Sequence, residues 1–323
     1  MTTLALWLLA AAAGLGLLAY GARLFILGAA DGARRLRISP MLVGVFLAGF
    51  ATSMPEAVVA AVAAYRDSLE LALGNAVGSN IANIGLVLGA AVLFMGMRPE
   101  RGAGNIELGA MSAITLLACA LLANGYLSRV DAVLLLAALP LVGWLLVGNA
   151  VSRNTAGIPV GEDQAVLRSL PRNVAYAALG LFLLLGGAEL LVRAAQRVAV
   201  IAGVEELVIG ATIVAIGTSL PELAITVAGA IKRETELALG NIIGSNIFNL
   251  LVVVGVAGAI APSGFSPQLL TLHVPMLLGF TLWFVALAAL CRRRGRLGRA
   301  WSVSLLLPFA LYLALVIALT GPD

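Results

Sequence analysis

The sequence predicts an all-α membrane protein: ten transmembrane helices in two inverted-topology repeats of five, some of them broken mid-span. Three observations carry this. Apolar residues make up 61% of the chain and charged residues 11%, with a mean hydropathy of +1.05, whereas charged residues run near a quarter in soluble domains. Ten apolar segments each approach the roughly 20 residues that a spanning helix needs. One polar pattern occurs twice, at a constant offset of 166 residues.

In order, the segments are 3–30, 40–65, 70–97, 105–124, 128–150, 173–195, 205–231, 236–261, 268–291 and 300–320. The first has no basic residue before Arg23, and its copy lies mid-chain at 173–195. A cleavable leader would carry a positive amino-terminal region and no internal duplicate, so this segment is expected to be a structural helix. The second and seventh segments hold Thr52-Ser53-Met54-Pro55-Glu56 and Thr218-Ser219-Leu220-Pro221-Glu222. The third and eighth hold Gly74-Asn75-Ala76-Val77-Gly78-Ser79-Asn80-Ile81-Ala82-Asn83 and Gly240-Asn241-Ile242-Ile243-Gly244-Ser245-Asn246-Ile247-Phe248-Asn249. The alternating polarity of a membrane barrel is absent.

Further matches extend the duplication to the whole chain: Gly21 with Gly187, Gly44 with Gly210, Gly89 with Gly255. Five helices per half is an odd number, so the second half enters the membrane in the opposite sense. The expected organisation is a first repeat over 1–150, a cytoplasmic linker over 151–172 and a second repeat over 173–323. Basic residues favour the cytoplasmic side. Ten helices place fifteen of them (Arg34, Arg35, Arg37, Arg98, Arg101, Arg153, Arg168, Arg172, Lys232, Arg233, Arg292, Arg293, Arg294, Arg296, Arg299) on one side and four (Arg66, Arg129, Arg193, Arg197) on the other. Both termini are therefore expected outside the cytoplasm, in a multi-pass cell (inner) membrane protein. The net charge of +4 reads as a topology signal, and neither a nucleic-acid nor a protein partner is expected. The linker is too short for a soluble domain, and Glu162-Asp163 reads as a solvated loop pair.

The chemistry lies in the duplicated stretches. Pro55 and Pro221 lack an N–H and crowd the carbonyls of Ala51 and Gly217. In hydrocarbon an unsatisfied carbonyl is tolerated only where it lines a protein cavity or meets an ion. Glu56 and Glu222 follow at once, and an ionisable group near mid-span costs about 2.5–3.5 kcal/mol on insertion scales. A lone Pro kink beside a protonated Glu is a structural alternative, but the pattern stands twice. Both glutamates read as cation ligands. Ser79 with Asn83, and Ser245 with Asn249, lie at i, i+4 on one helix face and supply neutral oxygens. Asn75, Asn80, Asn241 and Asn246 are expected to bond the broken backbone, and the glycines to permit close packing. Oxygen-only ligands with two carboxylates suit a hard cation such as Ca²⁺. Two carboxylates are neutralised by one Ca²⁺ or two Na⁺, which is a physical basis for exchange. Cys119, Cys291 and His273 stand outside both copies and read as core or interfacial residues. No nucleophile–base pair is visible, so neither an enzyme nor a cofactor is expected.

The paired Thr-Ser-x-Pro-Glu and Gly-Asn-x-x-Gly-Ser-Asn stretches resemble the two alpha-repeats of the sodium/calcium exchanger branch of the Ca²⁺:cation antiporters, in its compact prokaryotic form. The resemblance covers the whole transmembrane chain. It implies ten helices in two inverted halves, with four broken helices around a central ion site. It further implies that Glu56 and Glu222 are ligands shared by calcium and sodium, with the carbonyls of Thr52 and Thr218 added to calcium. Ser53, Ser79, Ser219 and Ser245, with the carbonyls of Gly49 and Ala215, would serve flanking sodium sites, and Asn83 and Asn249 would line the middle. The first and sixth helices resemble two long helices that slide across a rigid eight-helix core. Three Na⁺ against one Ca²⁺ would move one net charge per cycle.

Two departures matter. Ala51 stands where the second copy has Gly217, which suggests a less flexible first break. Asn occupies the position where potassium-dependent relatives carry Asp in place of Asn249. The Glu-His-Ala-Thr stretch of the proton/calcium branch is absent. The expected function is electrogenic Ca²⁺ export in exchange for Na⁺ by alternating access, acting on inorganic cations within a lipid bilayer. A proton/calcium antiporter is the nearest alternative, and a passive cation channel a more distant one. Arg23 and Glu189 occupy equivalent positions, and Glu189 is expected to pair with Arg193.

Overall fold

The computed structural model describes residues 2–97, 104–155, 169–201 and 215–320. Among them, eight helices are long and apolar enough to cross a membrane, and one bent pair makes a ninth span. Residues 205–214, the start of the expected seventh segment, lie outside the described residues, as does Glu162-Asp163.

Helix α1 (Thr2–Leu36) runs past the expected end at residue 30. Asp31 and Arg34 pair at 3.4 Å, one turn apart. Arg34 and Arg35 occupy the last turn, where free carbonyls favour cations. The helix ends at Arg37, whose φ is 57°. Helices α2 (Pro40–Thr52) and α3 (Met54–Tyr65) meet at a 41° bend. α4 (Leu69–Met95), α5 (Asn105–Leu122) and α6 (Arg129–Thr155) complete the first half. α7 (Leu170–Ile201) opens the second half, followed by the short α8 (Ala215–Thr218) and α9 (Leu220–Ile231). Then come α10 (Thr235–Ile260), α11 (Leu269–Arg294) and α12 (Val303–Thr320). α6 continues to Thr155 and α7 begins at Leu170, both inside the bounds expected for the linker.

The expectation of four broken helices needs correction. The spans with Pro55 and Pro221 are broken, but α4 and α10 are continuous and instead wind into π-helix over Asn83–Leu88 and Asn249–Val253. A π-turn shifts the register of a helix without opening its hydrogen-bond ladder, and such turns gather at functional sites. A minor addition is a two-stranded ribbon, β1 (Tyr126–Leu127) against β2 (Ser263–Gly264), with a second bridge between Met97 and Leu297. Each ties two helix connections together.

Burial divides the bundle in two. One apolar cluster runs through α4, α5, α10, α11 and α12, including Leu73, Ile81, Met111, Leu251 and Phe284. A separate cluster joins α1 and α7 to α9, with Leu18, Phe25, Ile26, Leu184 and Ile225. α1 and α7 touch backbone to backbone. A Cβ at Gly21 would lie 2.4 Å from the Leu184 nitrogen, and one at Gly180 2.3 Å from the Phe25 nitrogen. The same device seats α2 on α10, where a Cβ at Gly244 would lie 2.3 Å from the Val45 carbonyl. Without glycine at these points the helices could not meet, and the polar residues beside them would not come together.

Candidate ion-binding site

The two breaks share one local geometry. Ser53 has φ −86° and ψ 3°, and Ser219 has φ −88° and ψ 4°. Each serine carbonyl accepts the first N–H of the next helix, from Ala57 at 3.1 Å and Leu223 at 3.0 Å. Pro55 and Pro221 thus lie in the first turns of α3 and α9, where a missing N–H costs nothing. Gly217, which stands where the first copy has Ala51, also serves packing. A Cβ there would lie 2.4 Å from Val192 of α7, so its bareness admits that side chain.

Just past the breaks, Glu56 and Glu222 are fully buried, at 0% exposure each. Thr52, Ser53, Ser79, Asn83, Ser219, Ser245 and Asn249 are also buried, and Thr218 is half-buried. Ala215 opens α8. The halves engage crosswise. Ser53 Oγ of the first copy donates to Glu222 Oε1 of the second at 3.3 Å. Ser245 Oγ lies 3.5 Å from Glu222 Oε1, 3.4 Å from the Gly49 carbonyl and 3.3 Å from Thr52 Oγ1. Thr52 Oγ1 donates to the Ala48 carbonyl at 3.0 Å. α8, with Thr218, packs on α4, which carries Ser79. The Asn83 π-turn packs on α9 and α10, and the Asn249 π-turn on α3 and α4.

The other asparagines hold backbone, as their setting suggested. Asn75 Nδ2 donates to the Glu56 carbonyl and Asn241 Nδ2 to the Glu222 carbonyl, both at 3.2 Å. Asn80 Nδ2 reaches the Asn246 carbonyl at 3.1 Å, and Asn246 Nδ2 the Ile242 carbonyl at 2.7 Å. Sequence reasoning missed Asn241 Oδ1, which faces Thr52 Oγ1 at 3.4 Å, and Thr226, whose hydroxyl meets Asn241 Nδ2 at 3.0 Å. One signal was available: Thr226 stands one helical turn beyond Glu222, where the first copy has Ala60.

Several buried polar atoms in this region have no hydrogen-bond partner among the described residues. They are both carboxylate oxygens of Glu56, Glu222 Oε2, Ser219 Oγ, both amide atoms of Asn83 and of Asn249, and the amide oxygens of Asn80 and Asn246. A charge buried without a partner is among the costliest arrangements in a protein. Oxygens gathered in this way are suited to a cation, whose charge compensates the carboxylates. Among the described residues, no three His, Cys, Asp or Glu side chains gather closely enough to hold a metal ion. His273 Nδ1 instead meets Tyr312 Oη at 2.7 Å, and Cys119 and Cys291 are buried free thiols. Glu189 pairs with Arg193 on an exposed face of α7.

Fold and site together define a multi-pass membrane transporter of inorganic cations, not an enzyme. The chain belongs to the sodium/calcium exchanger family, whose model matches residues 6–147 and 172–318, one stretch in each half. It is 38% identical to CaxA of Alkalimonas amylolytica over 302 residues, covering 93% of this chain and 95% of that one. The inner membrane protein YrbG of Escherichia coli is 35% identical over 313 residues, 94% of each chain. Among solved structures, the sodium/calcium exchanger from Methanococcus jannaschii aligns with a TM-score of 0.82 and 28% identity, covering 96% of this chain and 98% of that one.

Proposed function

We propose that this protein exports Ca²⁺ in electrogenic exchange for Na⁺ by alternating access, with Glu56 and Glu222 as ligands common to both ions. The carrying observation is the fully buried glutamate pair, with unpartnered carboxylate oxygens among hydroxyl and amide groups drawn from both motif copies. The spacing supports a cation of this size. Gly49 O, Thr52 Oγ1 and Glu222 Oε1 each stand 3.3–3.5 Å from Ser245 Oγ. Oxygens in an octahedral shell at about 2.4 Å from a hard cation are separated by ~3.4 Å.

In this reading Thr52, Thr218, Ser53, Ser219, Ser79, Ser245, Asn83, Asn249, Gly49 and Ala215 complete the ligand set. The chain is two inverted five-helix repeats, and both termini lie outside the cytoplasm of an inner membrane. The family match in two stretches supports the duplication. The apolar cluster by which α1 and α7 rest on Ala48, Ile225 and Leu237, distinct from the main core, supports a pair of long helices sliding over the remaining bundle. A site of charge −2 binds one Ca²⁺ or a sodium load in competition, so each ion displaces the other.

The test is calcium flux in proteoliposomes. An imposed sodium gradient at clamped pH drives calcium movement that depends on membrane voltage. Calcium flux driven by a pH gradient in sodium-free buffer, with none driven by sodium, would replace this reading with proton coupling.

A further inference from the structure

The two halves of the site are not equivalent, and the difference lies in one hydroxyl. Asn241 Nδ2 has two acceptors, the Glu222 carbonyl at 3.2 Å and Thr226 Oγ1 at 3.0 Å. Both amide protons are thereby placed, and Oδ1 points the other way, 3.4 Å from Thr52 Oγ1. Thr52, Thr226 and Asn241 are each 0% exposed. The single proton of Thr52 has its shortest contact with the Ala48 carbonyl, at 3.0 Å, so Asn241 Oδ1 keeps its capacity to accept. Beyond Thr52 Oγ1 lie Ser245 Oγ, the Gly49 carbonyl and Glu222 Oε1. Asn241 Oδ1 therefore borders the same oxygen cluster. In the other half Asn75 donates to the Glu56 carbonyl from a part-buried position, and Ala60 offers no hydroxyl where Thr226 stands.

We propose that Asn241 Oδ1 is an additional neutral ligand of the subsite formed by Gly49, Ser53, Ser245 and Glu222, and that Thr226 is the positioning residue that holds it there. The two flanking subsites then bind a monovalent cation with unequal affinity. The Asn241 subsite is the tighter one. This inference rests on the exchange reading above. Calcium, centred on the two glutamates, draws less on that oxygen than a flanking sodium does.

The experiment measures half-saturation for Na⁺ and for Ca²⁺ separately in proteoliposomes holding the full chain. In Thr226→Val the half-saturating sodium concentration rises about tenfold, as expected for one buried N–H left without its acceptor. The Ca²⁺ half-saturation and the maximal rate stay within about twofold of wild type, and Thr226→Ser restores sodium affinity. Thr226→Ala serves as the second variant if the valine fails to insert. An unchanged sodium half-saturation overturns the proposal. So does a parallel shift for both ions with a fall in rate, which is the mark of a packing defect. A wild-type protein with no sodium dependence removes the exchange reading and takes this inference with it. Sodium dependence in wild type with no selective effect at Thr226 removes this inference alone.

Discussion

Arg34, in the last turn of α1, is ion-paired with Glu234, the residue just before α10, and Asp31 stands 3.4 Å from the same guanidinium. This contact ties a long helix to the connection between α9 and α10. The equivalent positions of the other half, Val200 and Ser68, carry no charge. The tie therefore has no counterpart between these two positions in the other half. The side chains are 40% and 16% exposed, so the pair is worth about 0.2–1 kcal/mol. If α1 slides between two arrangements, a small bias of this kind acts on the balance between them. Replacing Arg34 by Glu is expected to change calcium turnover about two- to fivefold, and Arg34→Glu combined with Glu234→Arg to restore it. Initial flux rates in proteoliposomes check both.

If α1 and α7 move as one body over the remaining helices, a link within the pair is harmless and a link to the bundle is not. A Cβ at Gly32 would lie 3.7 Å from that of Asn173, within the range for a disulfide. Oxidised Gly32→Cys/Asn173→Cys protein is expected to keep its calcium flux. Arg34→Cys/Glu234→Cys protein, bridged by a short bifunctional thiol reagent, is expected to lose it and to recover on reduction.

Glu56→Gln and Glu222→Gln each abolish calcium uptake by everted vesicles in this account, because a lone remaining carboxylate cannot balance Ca²⁺. Ligand-linked stability gives a second readout that needs no transport. Calcium at 100 times its dissociation constant stabilises a one-site protein by about 2.7 kcal/mol. Wild-type protein in detergent is therefore expected to melt higher with calcium, and neither variant to respond. Transport at wild-type rate in either variant would remove that glutamate from the site.

Gly244→Ala places a methyl group 2.3 Å from the Val45 carbonyl, which must move. Overpacking of this kind costs about 1–3 kcal/mol. It is expected to lower the melting temperature and to weaken calcium binding, since the same contact brings Ser245 to Gly49. Gly279→Ala, where no atom lies within 4 Å of the added Cβ, is the control and is expected to melt no lower than wild type.

Much of this was readable in the chain because it depends on local pattern. Apolar length gives the spans. The repeated Pro55 and Pro221 locate the breaks to within two residues, because a missing N–H acts on its own turn. Other features were legible only in outline. The end of α1 was missed because Asp31, Arg34 and Arg35 resemble a solvated loop, yet at the end of a helix they pair and meet free carbonyls. The π-turns at Asn83 and Asn249 were missed because one helical register differs from another by a shift that apolar periodicity does not mark.

The sequence by itself determined that this is a duplicated membrane bundle with two glutamates just past two helix breaks, because composition, period and proline chemistry act over a few neighbouring residues. Only the tertiary structure decided which oxygens share a site. Ser53 bonds Glu222 and not Glu56, and Ser245 meets Gly49 and Thr52 of the opposite half. That crosswise pairing depends on how closely α2 and α10 approach at Gly44, Gly240 and Gly244. It is a contact between residues about two hundred positions apart, which no local pattern encodes.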